Sequence, residues 1–132
     1  MKILFYSPSA DPSGDKLKQS VDEVVDRAQV EVHRQVTGLV QRLRMPSSDL
    51  EMAIIMPANR HELFAVSPLL AGFQGIRLVL VLPDREDETI AMAHSLRPRF
   101  VTYSNGDYSE LKEVVKKMLS DLTRGGSSLP GN

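Results

Sequence analysis

Leu78-Val79-Leu80-Val81-Leu82 is an unbroken aliphatic run closed by Pro83. The run has the length of a strand, and with no polar residue at alternate positions both faces of that strand must be covered. Strands buried on both faces belong to parallel sheets flanked by helices. Ile3-Leu4-Phe5-Tyr6, stopped by Ser7-Pro8, and Met52-Ala53-Ile54-Ile55-Met56, stopped by Pro57, repeat the signal. Phe100-Val101-Thr102-Tyr103 is another strand, and Val30-Glu31-Val32-His33 alternates as a half-buried edge strand does.

Helical stripes separate these strands. After a loop from Ser7 to Asp15, Leu17, Val21, Val24, Val25 and Ala28 recur on one helical face. Val36, Leu39, Val40 and Leu43 form a second stripe, weakened by Gly38. Leu63, Phe64, Val66, Leu69 and Leu70 point a third helix inward over Glu62–Ala71, with Pro68 expected to kink it or shift its start. Ile90, Ala91, Ala93, His94 and Leu96 follow an acidic first turn and are ended by Pro98. Asp107 and Glu110 form a capping box for a last helix, whose buried stripe is Leu111, Val114, Val115, Met118, Leu119 and Leu122. Alternating strands and helices with short connections demand parallel strands and right-handed crossovers. The expected architecture is a flavodoxin-like α/β fold, a doubly wound five-stranded sheet in order 2-1-3-4-5 with helices on both faces. Residues 1–123 would form this domain, with 124–132 a flexible C-terminal tail.

Composition narrows the chemistry. The absence of Cys removes disulfides, thiolate catalysis and Cys-ligated metals. Lys and Arg number 16 against 17 Asp and Glu, so no basic nucleic-acid module is expected. No apolar run reaches membrane-spanning length, and the apolar start is too short for a signal sequence, so a cytoplasmic location is the default expectation. The methionines at 45, 52, 56, 92 and 118 read as core fillers.

From Ile3 to about Leu122 the layout resembles a response-regulator receiver domain. The match is carried by Leu78–Leu82 with Pro83 and an acidic-led helix, by Leu96-Arg97-Pro98-Arg99-Phe100-Val101, by Asp107–Leu119, and by Ser48-Asp49-Leu50 leading into an apolar strand. The resemblance implies a phosphoryl-transfer site made of an acidic pair after strand one, an Asp at the end of strand three, a hydroxyl after strand four and a Lys after strand five. Such a site needs a metal and a cation to neutralise its clustered negative charge. Here those positions read Tyr6-Ser7, Ile55 or Met56, Leu82-Pro83 and Tyr103-Ser104-Asn105. The resemblance therefore implies a pseudo-receiver, with the scaffold kept and the phosphoacceptor chemistry lost.

Two function classes follow. The first is a non-enzymatic signalling module without a cofactor, acting on an unidentified protein partner. By resemblance its contact surface is the fourth helix, fifth strand and fifth helix, presenting Arg85, Glu88, Met92, Leu96, Arg97, Tyr103, Lys112 and Lys116. A homodimer through this face is one form such contact would take. The second is a binder of a nucleotide, flavin or other anion through the loops after strands one and three. Its residues would be Ser9, Ser13 and Gly14 before a helix N-terminus, with Asn59, Arg60 and His61. Asp11, Asp15 and Asp84 could meet around a divalent ion, but helix capping explains Asp15 and Asp84 as well, and no metal is expected. The three His residues show no metal-ligand spacing, and no serine has a nucleophile-elbow setting.

Overall fold

The computed structural model describes residues 2–8, 12–46, 49–72, 75–104 and 106–128, with side chains described as far as residue 121. Five parallel strands form one sheet in the order β2-β1-β3-β4-β5: β1 Lys2–Tyr6, β2 Val30–His33, β3 Leu50–Ile55, β4 Arg77–Leu82 and β5 Phe100–Tyr103. The order is the expected one, with the alternating β2 at one edge. Leu80 lies at the centre, paired in register with Ile55 on one side and Val101 on the other.

Strand alternation divides the core in two. Ile3, Phe5, Ile54, Val79 and Val81 face α1 (Pro12–Asp22) and α5 (Ser109–Ser128). Leu4, Tyr6, Ile55, Leu80 and Leu82 face α2 (Val36–Leu43), α3 (Arg60–Ala71) and α4 (Asp87–Ser95). Most of these side chains are wholly buried, each contributing about 1.5–3 kcal/mol of transfer free energy.

Element ends depart from the pattern-based expectation for local reasons. α1 begins at Pro12, inside the expected loop, because proline suits a helix's first turn. It stops at Asp22, before Val24 and Val25, and a single 3-10 turn over Arg27–Gln29 follows. Asp26 competes with helix continuation there by accepting from the Ala28 N–H at 3.0 Å. Helix α5 runs on to Ser128, past the expected start of the tail, while residues 129–132 lie outside the described residues.

Pro68 is accommodated inside α3. Proline donates no hydrogen bond, which leaves the Phe64 carbonyl without its helical partner, and the Ser67 hydroxyl donates to that oxygen at 2.9 Å. Phe64 itself is not inward as expected. Leu63, Val66 and Leu70 form the buried stripe, and Phe64 lies about 100° round the helix from Leu63. It is 38% exposed, and Met45, also expected in the core, is 56% exposed.

Two residues other than glycine take left-handed backbone, Arg97 with φ 54° and Tyr108 with φ 58°. Such a conformation costs an L-residue about 1–2 kcal/mol. Tyr108 is buried, and its hydroxyl hydrogen-bonds the buried Ser13 hydroxyl, which docks the start of α5 onto α1. Asp107 caps from just outside, accepting from the Ser109 N–H at 3.1 Å and the Ser109 hydroxyl at 3.0 Å.

Candidate functional site

In a doubly wound sheet the ligand end is the carboxyl end of the strands. Among the described residues, the ends of β1 and β3 are buried there. Tyr6 and Ser7 close β1, Met56 and Pro57 follow β3, and all are buried. The Met56 N–H donates to the Tyr6 carbonyl at 2.9 Å, so the two strand ends remain zipped together. After β4 come half-buried Pro83 and Asp84, and the Ser104 N–H after β5 donates to the Leu82 carbonyl at 2.9 Å. Tyr6-Ser7 at the end of β1 and Ile55-Met56 at the end of β3 carry no carboxylate.

Tyr6 is bound rather than free. Its hydroxyl donates to Glu62 Oε1 at 2.8 Å, and the same oxygen accepts from the Ala58 N–H at 2.9 Å. Burial first, then the neighbouring Glu62 carboxylate, pushes the Tyr6 phenol above its ordinary range. The Ser7 hydroxyl is fully buried and has no hydrogen-bond partner among the described residues. It abuts Gly14 in the first turn of α1.

Several of the residues expected to cradle an anion have other partners. Ser9 and Asp11 lie outside the described residues. Ser13 is buried against Tyr108, and Gly14 is buried against Ser7. Asn59 caps α3, its Oδ1 accepting from the Glu62 N–H at 2.9 Å. Arg60 pairs with Glu88 at 2.8 Å, while His61 is exposed. Asn59, Arg60 and His61 do share a shallow pocket, but Phe64, Asp84 and Glu88 line it too. Two carboxylates and one paired arginine thus share this pocket with Asn59 and His61.

Asp84 is kept ionised at this rim. Thr89 makes no hydrogen bond of ordinary geometry, yet its hydroxyl is the leading influence holding the Asp84 carboxyl below the usual range, ahead of the Glu86 N–H and Arg60. Asp15 is ion-paired with Arg34 at 2.6 Å, so it does not join Asp84. Among the described residues no cluster of acidic or His side chains could hold a metal.

The proposed contact face is partly assembled. Arg85 lies over the Tyr103 ring, its guanidinium carbon 3.8 Å from the ring centre. Met92, Leu96 and Tyr103 are half-buried and pack on the same side of the core. Lys116 is exposed on α5. Lys112 is drawn elsewhere: it pairs with Glu23 beyond α1 at 2.8 Å, and that carboxylate holds the ammonium above its usual range. Arg97 sits at the opposite end of the sheet from Tyr103.

The sequence reading missed one assembly entirely. Arg42, whose side chain is only 8% exposed, donates from Nε to both Glu31 oxygens at 3.0 and 2.8 Å. Its Nη2 donates to Asp49 at 3.0 Å and its Nη1 to the Pro46 carbonyl at 3.2 Å. His33 Nε2 meets Glu31 at 2.7 Å. Burial opposes ionisation of Glu31, but the hydrogen bonds from His33 and Arg42 outweigh it and hold the carboxyl below its usual range. An arginine inside the apolar stripe of α2, between Leu39 and Leu43, was the available signal.

No helix among the described residues is long and apolar enough to cross a membrane. No protein-family model matches the chain, and no curated protein sequence matches it. Among solved structures it is similar to a protein provisionally described as pilus assembly-related from Burkholderia pseudomallei, with a TM-score of 0.67 and 22% identity over 91% of this chain and 90% of the other. It is also similar to a protein provisionally described as the CpaE2 pilus assembly protein of Sinorhizobium meliloti, with a TM-score of 0.59 and 11% identity over 89% of this chain and 99% of the other. At these identities the likeness is one of fold, and the fold is flavodoxin-like and receiver-like.

Proposed function

We propose that this chain is a receiver-like module without aspartyl-phosphate chemistry, acting by protein–protein contact in machinery of the pilus-assembly kind. One observation carries the reading: where a receiver needs clustered carboxylates, this chain buries Tyr6, Ser7, Ile55 and Met56. A carboxylate nucleophile with its metal cannot be supplied by those side chains. The pilus-assembly context is suggested by the two structural neighbours. The contact surface is α4, β5 and α5, where Arg85, Met92, Leu96, Tyr103 and Lys116 border an edge strand that needs a partner or protection.

Incubation with acetyl phosphate and magnesium, followed by intact mass measurement, tests the chemistry. No mass gain is expected, and a hydroxylamine-sensitive gain of one phosphoryl group overturns the reading. Light scattering on the wild type and on a Tyr103→Ala, Lys116→Glu double variant tests the surface. A dimer through it would bury at least about 1,000 Å² and be lost in the variant. A wild type that is monomeric at high concentration removes self-association and leaves a different protein as the partner. A variant that dimerises like the wild type places the contact on another face.

A further inference from the structure

The two helical layers differ in what they show to solvent. On α1 and α5 the exposed positions are mostly charged, with Asp15 and Lys16 on α1 and Glu110, Glu113, Lys116 and Lys117 on α5. On the other side of the sheet α3 packs between α2 and α4. It carries no charged residue from Leu63 to Ala71, although 25% of the chain is charged. Thr37 and Gln41 on α2, Phe64, Ala65 and Pro68 on α3, and Ala91 on α4 are all exposed. Charge returns at the margins, with Arg44 just past α2 and Asp87 and Glu88 in the first turn of α4. A centre depleted of charge inside a charged rim is the composition of a protein interface.

Two further observations belong to this face. Pro68 frees the Phe64 carbonyl, and the Ser67 hydroxyl, itself buried, donates to that oxygen at 2.9 Å. Covering α3 therefore buries no unpaired backbone acceptor at that turn. Phe64 is the only aromatic among the exposed large apolar side chains of the described residues, and aromatic anchors dominate interface energetics.

The rim identifies the occupant. The three helices run in one direction, because each returns the chain between parallel strands. α4 starts acidic, at Glu86, Asp87 and Glu88, and Arg97 stands exposed just beyond its end. Two such layers packed face to face with antiparallel helices set the acidic start of each α4 against Arg97 of the other copy. The uncharged centre meets itself without like-charge repulsion, as a two-fold contact requires. Three helices spaced about 8–10 Å apart make the face about 25–30 Å wide, the span of a standard interface of about 800 Å² per partner.

We infer that the outer face of α2, α3 and α4 is the contact between two copies of this chain, related by a two-fold axis with their α3 helices antiparallel. Tyr103 and Lys116 stay outside this contact, so the inference does not rest on the α4, β5 and α5 surface.

Sedimentation velocity of the full chain over a concentration series tests it, and a monomer–dimer equilibrium is expected. Ala65→Glu places two unpaired carboxylates at the centre and should weaken dimerisation by about a hundredfold or more. Glu is a good helix former, so the thermal midpoint of the monomer should hold. Asp87→Lys should weaken the dimer by about threefold to tenfold, and Arg97→Glu in the same chain should restore it. The chain has no Cys, so Ala65→Cys with a short bis-maleimide should give a covalent dimer and Lys116→Cys should not. The Tyr103→Ala, Lys116→Glu variant should dimerise like the wild type. A wild type that stays monomeric overturns the inference, whether another protein covers the face or nothing does. A dimer that survives Ala65→Glu overturns it too, as does a charge swap that leaves the Asp87→Lys loss unrepaired.

Discussion

Gly14 lies so close to Ser7 that a Cβ on residue 14 would stand 2.9 Å from both the Cβ and the Oγ of Ser7. The first turn of α1 therefore rests on the end of β1 with no room between them. This contact seals the position where receiver chemistry would place an acidic pair. Gly14→Ala should gain about 1 kcal/mol of helix propensity and lose more to overpacking, for a net destabilisation of about 1–2 kcal/mol. Ser7→Gly in the same chain should restore most of that loss, giving a coupling that denaturant unfolding of the four-variant cycle measures. Ser7→Ala alone removes a buried hydroxyl with no partner and should be neutral or stabilising by about 1 kcal/mol. If Ser7→Ala destabilises clearly, the hydroxyl has a partner and the seal is a polar one.

Arg42 should set much of the acid sensitivity. Glu31 and Asp49 both have carboxyls held below their usual range by hydrogen bonds that include Arg42. A group whose folded pKa is depressed contributes stability above its unfolded value and loses it as pH falls through the folded value. The wild type should therefore lose stability steadily below about pH 4.5. Arg42→Gln leaves Glu31 half-buried without its cation, so stability at pH 7 should fall by about 2–4 kcal/mol. The slope of unfolding free energy against pH below 4.5 should flatten in the variant, measured by urea titration across pH 2.5–7. An unchanged slope would mean that the acid response comes from carboxylates elsewhere, such as Asp84 and Asp107.

The sheet was legible because its signal is one-dimensional. Leu78–Leu82, Ile3–Tyr6 and Ile54–Met56 cannot be solvated on either face, and alternation with helices leaves few topologies. The residue types at the strand ends, on which the proposed loss of receiver chemistry rests, are likewise read directly. What a pattern does not encode is which polar atoms meet after folding. Asn59, Arg60 and His61 looked like a cluster, yet Asn59 is spent on the Glu62 N–H and Arg60 on Glu88 across the gap to α4. Glu31, Arg42 and Asp49 come from a strand, a helix and a loop, and only the edge geometry of β2 brings them together.

Tyr6 and Glu62 tie the end of β1 to the start of α3, and this contact should appear as an alkaline limit. The pKa of the Tyr6 phenol is raised by burial and by the carboxylate that accepts its hydrogen bond. A raised folded pKa means that the stability from this group is fully present below the unfolded value, about 10, and is lost as pH rises through the folded value. Tyr6→Phe removes a hydrogen bond to a charged group and leaves Glu62 with the Ala58 N–H alone on that oxygen, so it should cost about 1.5–3 kcal/mol at pH 7. The variant should then lose less stability than the wild type between pH 9.5 and 11. Ultraviolet titration gives a second readout: subtracting the Tyr6→Phe curve from the wild-type curve should leave one phenol ionising well above the free-tyrosine range, or only on unfolding. Glu62→Gln should bring that transition down while keeping Tyr6 buried. A wild-type difference curve centred near 10 would show that the phenol is hydrated, and that the strand end is open rather than sealed.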